Sequence, residues 1–414
     1  MRLLYIADGR SPIALNWIDY FIHSGHEVHL ASTFPCQPPP GLASMVVIPV
    51  ALSEIYAQSE GRVLGHRRLI HRMVPVGLRT RVRQVVAPLS FPRAVSALQG
   101  LIERIRPDLI HAMRIPYEGM IASMAMKRVS DRDGNLRKTA LLISVWGNDF
   151  TLHAKSTPIM SYYTRQALQN CDALQTDCQR DQHLSITWGF DDTKPRIVLP
   201  GGGGVQMDIF YPANDELDTD EKQLQADSMP VTIINPRGFR AYVRNDTFFR
   251  VIPFVIDKFP NVHFVCPGMR GEKQAQLWAS EMEIGDRVEL LPPQTRQQMA
   301  ELFRRSQISL SITTHDGTPN TLLEAMACGC FPIAGDIESL REWIRHGENG
   351  LLVDPGDPTA LAEAILSAIS QPKLQKQARE RNLELVKERA EYRKCMHTAE
   401  EFYAQLISNK LDML

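Results

Sequence analysis

Between His315 and Gly329 the chain sets two carboxylates, Asp316 and Glu324, around a run suited to meeting an anion. Thr318 is predicted as a helix N-cap and Pro319 as the first helical residue, the position proline prefers. Asn320, Thr321 and Leu322 would then point free amide N–H groups out of the helix end. Such an end carries roughly half a positive charge of dipole and favours phosphate. Gly329 is expected to close the helix just past its C-cap. Asp316 and Gly317 lie in the loop ahead of the tip, and Glu324 lies between one and two turns inside. One carboxylate could meet a sugar and the other a ribose, on either side of a bound diphosphate.

The cations that a diphosphate needs come earlier in the chain. Arg237, Arg240, Arg244 and Arg250 cluster just after the strand-like run Val231–Asn235. The C-terminal ends of strands are where open α/β sheets bind ligands. Arginine suits planar, two-point recognition of phosphate.

A capped helix after a strand is common, so the elements that would position it matter. Strands are read at Arg2–Ala7, Val28–Ala31, Met45–Val50, Asp108–Ala112, Ala140–Val145 and Arg196–Leu199, with helical segments between, the first over Pro12–Ser24. The pattern pauses at Pro200–Gly204 and an acidic stretch to Pro230. It resumes with strands at Val231–Asn235, Val262–Cys266, Val288–Leu291, Ile308–Ile312 and Phe331–Ala334, and helices at Asp246–Lys258 and Gly271–Glu283. After Asp354 the reading is helical, beginning with Asp357–Ser370. This alternation predicts an α/β protein of two Rossmann-like, doubly wound parallel-sheet domains facing a cleft. The expected domains are 1–205, joined by a C-terminal helix of about 392–414 that crosses back, and 206–391.

Composition excludes several classes. The 414 residues carry 46 Lys plus Arg against 47 Asp plus Glu, for a net charge of −1, which argues against nucleic acid as a partner. No apolar run approaches the ~20 residues that span a bilayer, and no signal-peptide core is read, so a cytoplasmic location is expected. Seven cysteines without a CxxC spacing argue against a disulfide framework or zinc site, and no metal is expected. The neutral total hides local imbalance. Residues 61–102 contain no acid but hold Arg62, Arg67, Arg68, Arg72, Arg79, Arg81, Arg83 and Arg93. Interleaved with apolar residues, this stretch suits an anionic membrane surface as well as it suits a solvated helix face. Pro75, Gly77 and Pro88 are expected to break any long helix there.

Residues 306–358, including His315–Gly329 and Glu342–Asp357, closely resemble the donor domain of retaining glycosyltransferases of the GT-B fold, family 4. The family's E-x7-E pair falls on Asp316 and Glu324, and its "GxNGLLV-PGD" segment on Gly347–Asp357. The resemblance implies that Arg237 matches the family arginine after this strand, and that Arg244, or in its place Arg240, stands for the family lysine. In the family these two cations hold the leaving diphosphate with no cofactor and no obligatory metal. Gly317, Thr318, Pro319, Asn320, Thr321, Leu322 and Gly268 are placed on the donor side by the same likeness.

The first half matches more loosely. Met1–Ser32, Arg106–His111, Ser144–Asp149 and Leu199–Pro212 resemble family segments. They imply Asp8, Ser11, His111, Trp146, Asn148 and Asp149 as acceptor-side residues. Departures are Asp316 for Glu, Trp146 where many members carry His, Gln206 for Asp, and a single glycine in Asp8–Pro12. The implied activity is hexosyl transfer from a nucleotide-sugar, expected to be UDP-linked, to a glycan or lipid-linked hydroxyl in surface polysaccharide or glycoconjugate synthesis, with a peripheral place on the cytoplasmic membrane through Arg62–Arg83. The alternatives are a nucleotide-sugar epimerase of the same fold and a catalytically inactive nucleotide-sugar binding subunit.

Overall fold

The computed structural model describes residues 1–50, 53, 76–132, 136, 138–213 and 231–412. The chain divides into two units, Met1–Gly203 with Lys394–Leu414, and Gly204–Arg393.

The first unit is built on strands β1 (Arg2–Ala7), β2 (Glu27–Ser32), β3 (Ser44–Val47), β4 (Leu109–Ala112), β5 (Ala140–Val145), β6 (Ala173–Thr176) and β7 (Arg196–Val198). They form one sheet in the order β3-β2-β1-β4-β5-β6-β7, and every pairing is parallel. β4, β5 and β6 are buried at every position, because helices cover both faces of such a sheet. The sequence reading misses β6. The run Ala173-Leu-Gln-Thr176 looks too polar for a core strand, yet Gln175 is buried with its amide donating to the Leu199 carbonyl at 2.8 Å.

A second correction concerns the basic region. The helix Val76–Ile105 runs 30 residues straight through Pro88 and Pro92. Each internal proline costs ~3 kcal/mol of helix stability. Burial of Phe91, Val95, Leu98, Leu101 and Ile102 on one face offsets that cost. Arg62, Arg67, Arg68 and Arg72 lie outside the described residues, as do the side chains of Arg79, Arg81 and Arg83 and the acidic residues of 214–230.

The C-terminal helix, Tyr392–Asp412, packs in the first unit from Lys394 onward. Its Tyr403 hydroxyl accepts from Trp17 Nε1 at 2.9 Å and meets His111 Nδ1, while its ring stacks on Phe21 at 4.6 Å. Glu400 joins it to His26 at 2.6 Å, and Lys410 to Asp172 at 2.5 Å.

The second unit holds β8 (Val231–Ile234), β9 (Val262–Cys266), β10 (Val288–Leu290), β11 (Ile308–Ser311), β12 (Phe331–Gly335) and β13 (Leu351–Val353). The order is β10-β9-β8-β11-β12-β13, again all parallel. The strand order reverses between β8 and β11. That reversal opens a crevice at their C-terminal ends, the place where doubly wound sheets take ligands. β13 is another strand missing from the sequence reading, since three residues carry too little pattern to register.

Candidate active site

The loops leaving β8 and β11 meet at this switch point. They are stitched together by an antiparallel bridge between Val243 and Thr313, and by the Thr314 amide donating to the Tyr242 carbonyl at 2.9 Å. The loop after β8 is held from within. Asn235 Nδ2 donates to Asn245 Oδ1 at 3.1 Å, Asn245 Nδ2 donates to the Gly238 carbonyl at 2.8 Å, and the Arg237 amide reaches Asn235 Oδ1 at 3.3 Å. Gly238 takes φ of 60°, which suits a residue without Cβ.

This framework brings Arg237 to Asp316. Arg237 Nη2 donates to Asp316 Oδ2, and Nη1 donates to the Thr321 hydroxyl at 3.3 Å. Both side chains are largely enclosed, 11% exposed for Arg237 and 16% for Asp316. Arg237 Nε is buried with no acceptor among the described residues. A buried guanidinium N–H without a partner is costly and marks a place for an absent acceptor.

The helix tip beside them differs from expectation in two respects. Pro319, not Thr318, occupies the N-cap position of the helix Asn320–Ala327, with φ of −69° and ψ of 121°. Thr318 has another use, because its hydroxyl accepts from Trp343 Nε1 at 3.0 Å. The Leu322 amide is also not free, since it donates to the Pro319 carbonyl at 3.0 Å. Asn320 and Thr321 keep amides with no acceptor among the described residues. Gly329 follows the C-cap Cys328 with φ of 93°. The sequence reading gave no role to Trp343 or to Ser339, whose hydroxyl donates to the Asp316 carbonyl at 2.7 Å. The pair holds the 316–318 loop from behind. A tryptophan in a polar run, as in Glu342-Trp-Ile-Arg345, was the available signal.

Glu324 is half-buried one turn into the helix and has no hydrogen-bond partner among the described residues. Burial pushes its carboxyl from 4.5 up to about 7, with the Arg296 charge pulling it back. Of the two candidates for the family lysine, Arg244 is already clamped by Asp246 through contacts of 2.8 and 2.7 Å, whereas Arg240 is exposed and has no ion pair among the described residues. Gly268 follows β9 with φ of 76°, and its amide donates to the Pro292 carbonyl at 3.1 Å.

The acceptor-side residues lie in the first unit and divide into two groups. Asp8, at the end of β1, is half-buried and pinned by Arg10 Nε and Nη2, each at 3.1 Å. Ser11 caps the helix Pro12–His23 by accepting from the Ala14 amide at 3.4 Å. Trp146 and Asn148 are half-buried after β5. Among the described residues Trp146 Nε1 finds no hydrogen-bond partner, and Asn148 Oδ1 accepts from Arg114 at 2.7 Å. His111 and Asp149 are not open to a ligand, which corrects their expected role. His111 is 1% exposed inside β4, bonded to Ser144 Oγ at 2.6 Å, and burial lowers its pKa to about 3. Asp149 is buried, holding Arg114 Nε at 2.8 Å and the Trp146 amide at 3.1 Å. Sequence shows a residue's type and not its depth, so these two read as surface chemistry.

Fold and site together define a protein with two nucleotide-binding-type α/β units, one of which gathers a cation, a carboxylate and a helix tip at its switch point. Residues 217–384 match the family described as "Glycosyl transferases group 1", and residues 2–177 match "Glycosyl transferase 4-like". The chain belongs to this glycosyltransferase family. Among its relatives are a D-inositol 3-phosphate glycosyltransferase of Thermobispora bispora, 26% identical over 188 residues, 43% of this chain and 44% of that protein. Another is the N-acetyl-alpha-D-glucosaminyl L-malate synthase of Bacillus anthracis, 31% identical over 126 residues, 30% of this chain and 32% of that protein. The chain spans about half the length of the first of these, and about a third of the second. Sucrose-phosphate synthase from Thermosynechococcus elongatus has the same fold, with a TM-score of 0.74 at 15% identity over 99% of this chain and 100% of that one. So does HepE of Anabaena, solved in complex with UDP, with a TM-score of 0.68 at 13% identity over 98% of this chain and 100% of that one. Among the described residues no helix is long and apolar enough to cross a membrane.

Proposed function

We propose that the chain is a retaining, metal-independent glycosyltransferase that moves a sugar from a UDP-linked donor to a hydroxyl of a glycan, glycolipid or lipid-linked acceptor. The observation that carries this reading is the Arg237–Asp316 pair beside the free amides of Asn320 and Thr321 at the β8/β11 switch point. The UDP bound by HepE, a protein of the same fold, supports the choice of nucleotide.

The diphosphate lies against the helix tip and the Arg237 guanidinium, whose unpaired Nε supplies a further donor. Arg240, with Arg244 as the second choice, adds a cation. As the bond from the sugar's anomeric carbon to phosphate breaks, negative charge grows on the leaving oxygen, and these donors stabilise it without reorganising. Asp316 holds the donor sugar through a hydroxyl, and Glu324 accepts from the ribose. The acceptor oxygen bonds to the anomeric carbon on the face that the phosphate leaves. Its proton passes to the departing phosphate oxygen, so the anomeric configuration is retained.

Release of nucleoside diphosphate from a panel of UDP-, GDP- and ADP-sugars, with and without lipid-extract acceptors, tests this reading. Acceptor-stimulated release with an α product from an α donor is expected. Conversion of donor to its epimer without acceptor would make the protein an isomerase. Nucleotide binding with no turnover of any donor would make it a binding subunit.

A further inference from the structure

We propose that the first unit docks on an anionic lipid surface through the outward faces of two helices, Val76–Ile105 and Pro158–Asn170. This chooses the lipid-linked acceptor among the classes proposed above, and its role in transfer rests on that reading.

The two helices are fixed against each other from beneath. Phe91, fully buried in the first, meets Tyr163 of the second with ring centroids 5.0 Å apart, and the Tyr162 ring lies 5.3 Å from that of Tyr163. Away from this contact the helices carry large apolar side chains into solvent. Leu89 is 80% exposed, Tyr162 56% and Ile159 43%. A single exposed leucine needs no explanation, but three such side chains on two touching helices mark a surface that meets a partner.

Both helices are crossovers between parallel strands, so their N-terminal halves lie toward the strands' C-terminal ends. Leu89 stands sixteen residues before Ile105, about 24 Å along the helix, which is longer than the strand β4 that follows. Ile159 and Tyr162 fall in the first two turns of a helix that starts soon after β5, and Trp146 and Asn148 lie between that strand and that helix. The exposed apolar side chains therefore share a rim with acceptor-side residues.

Charge names the occupant. Residues 76–102 and 150–171 contain no Asp or Glu, while Arg93, Lys155 and Arg165 are exposed among them. The acids that bound the second stretch, Asp149 and Asp172, are paired with Arg114 and Lys410. Apolar side chains set among cations, with a tyrosine that joins an apolar ring to a polar hydroxyl, fit the boundary between acyl chains and anionic headgroups. Nucleic acid would use the cations and leave Leu89 and Ile159 in water. A symmetric dimer would set this positive face against its own copy.

Cosedimentation of the full chain with vesicles of phosphatidylcholine, alone or with about one third phosphatidylglycerol, tests the surface. Binding to the anionic vesicles is expected at about 50 mM salt, weakened at least ~10-fold at about 0.5 M, with none to phosphatidylcholine alone. The triple variant Leu89→Ser, Ile159→Ser, Tyr162→Ser should lose ~10- to 100-fold in vesicle affinity. Arg93→Glu with Lys155→Glu should lose ~100-fold or more, and serves if the triple variant does not fold. No binding by the wild type at low salt, equal binding to both vesicles, or variants that bind as the wild type does would overturn the proposal. So would a dimer in solution that the triple variant dissociates. Nucleoside diphosphate release with lipid-extract acceptor keeps the two readings apart. If the wild type turns over donor but binds no vesicle, only this inference fails. If it binds vesicles through these residues and turns over no donor, the surface stands and the transfer reading fails.

Discussion

Glu324→Gln is expected to make the protein more stable at pH 8 and far less active. The carboxyl titrates at about 7 in the folded chain against an ordinary 4.5, because burial penalises its charged form. Between those values the folded state binds a proton that the unfolded chain has released. Stability therefore falls as pH rises from about 4.5 to about 7, and stays reduced above. Glutamine carries no charge to bury and removes that penalty. The gain at pH 8 is up to about 3 kcal/mol, less whatever solvent recovers at a half-buried site, and it should nearly vanish at pH 5. Paired thermal denaturation of wild type and variant at the two pH values reads it directly, and an equal shift at both would mean that Glu324 does not titrate there. Turnover should fall by ~10- to 100-fold, the value of a hydrogen bond to a charged group. Stability lost to a strained or desolvated group in exchange for activity is common at active sites.

Arg237→Ala should cost the most in rate. The guanidinium combines a contact to Asp316, a contact to Thr321 and a free Nε at one point, so its removal strips charge stabilisation from the leaving diphosphate. A loss of ~10²- to 10³-fold in kcat is expected, with little change in the KM for acceptor. Arg237→Lys should recover only a small part, because an ammonium keeps the charge but not the planar fork. Steady-state kinetics on the active donor checks this, and full activity of Arg237→Ala would remove the residue from the site. The double variant with Asp316→Ala should lose less than the sum of the two single losses, since the side chains act as one unit.

The sequence carried the topology well and the depth of residues poorly. The alternation of apolar strands with helical periods is strong wherever a strand is buried on both faces, so β1, β5 and β9 were legible to within a residue. β6 and β13 were not, because Gln175 and Thr176 disguise one and three residues cannot reveal the other. The run from Asp316 to Gly329 and the arginines after β8 were visible as types, although the Arg237–Asp316 contact joins residues far apart in the chain. What escaped was competition among local partners. Thr318 had the composition of a cap, yet Trp343 claims its hydroxyl. Arg244 had the position of a diphosphate cation, yet Asp246 two residues on clamps it. His111 and Asp149 matched the pattern of a ligand-facing edge, but Tyr403, Ser144 and Arg114 satisfy them inside the core.

Hydrogen exchange of the full chain with and without UDP locates the donor site most directly. Slowed exchange should be concentrated in residues 235–246 and 316–324, the two loops and the helix tip around Arg237 and Asp316. Protection centred instead on the cavity of about 380 Å³ beside Arg345 and Arg389, or no protection in the second unit at saturating UDP, would put the nucleotide elsewhere and remove the basis for the proposed transfer.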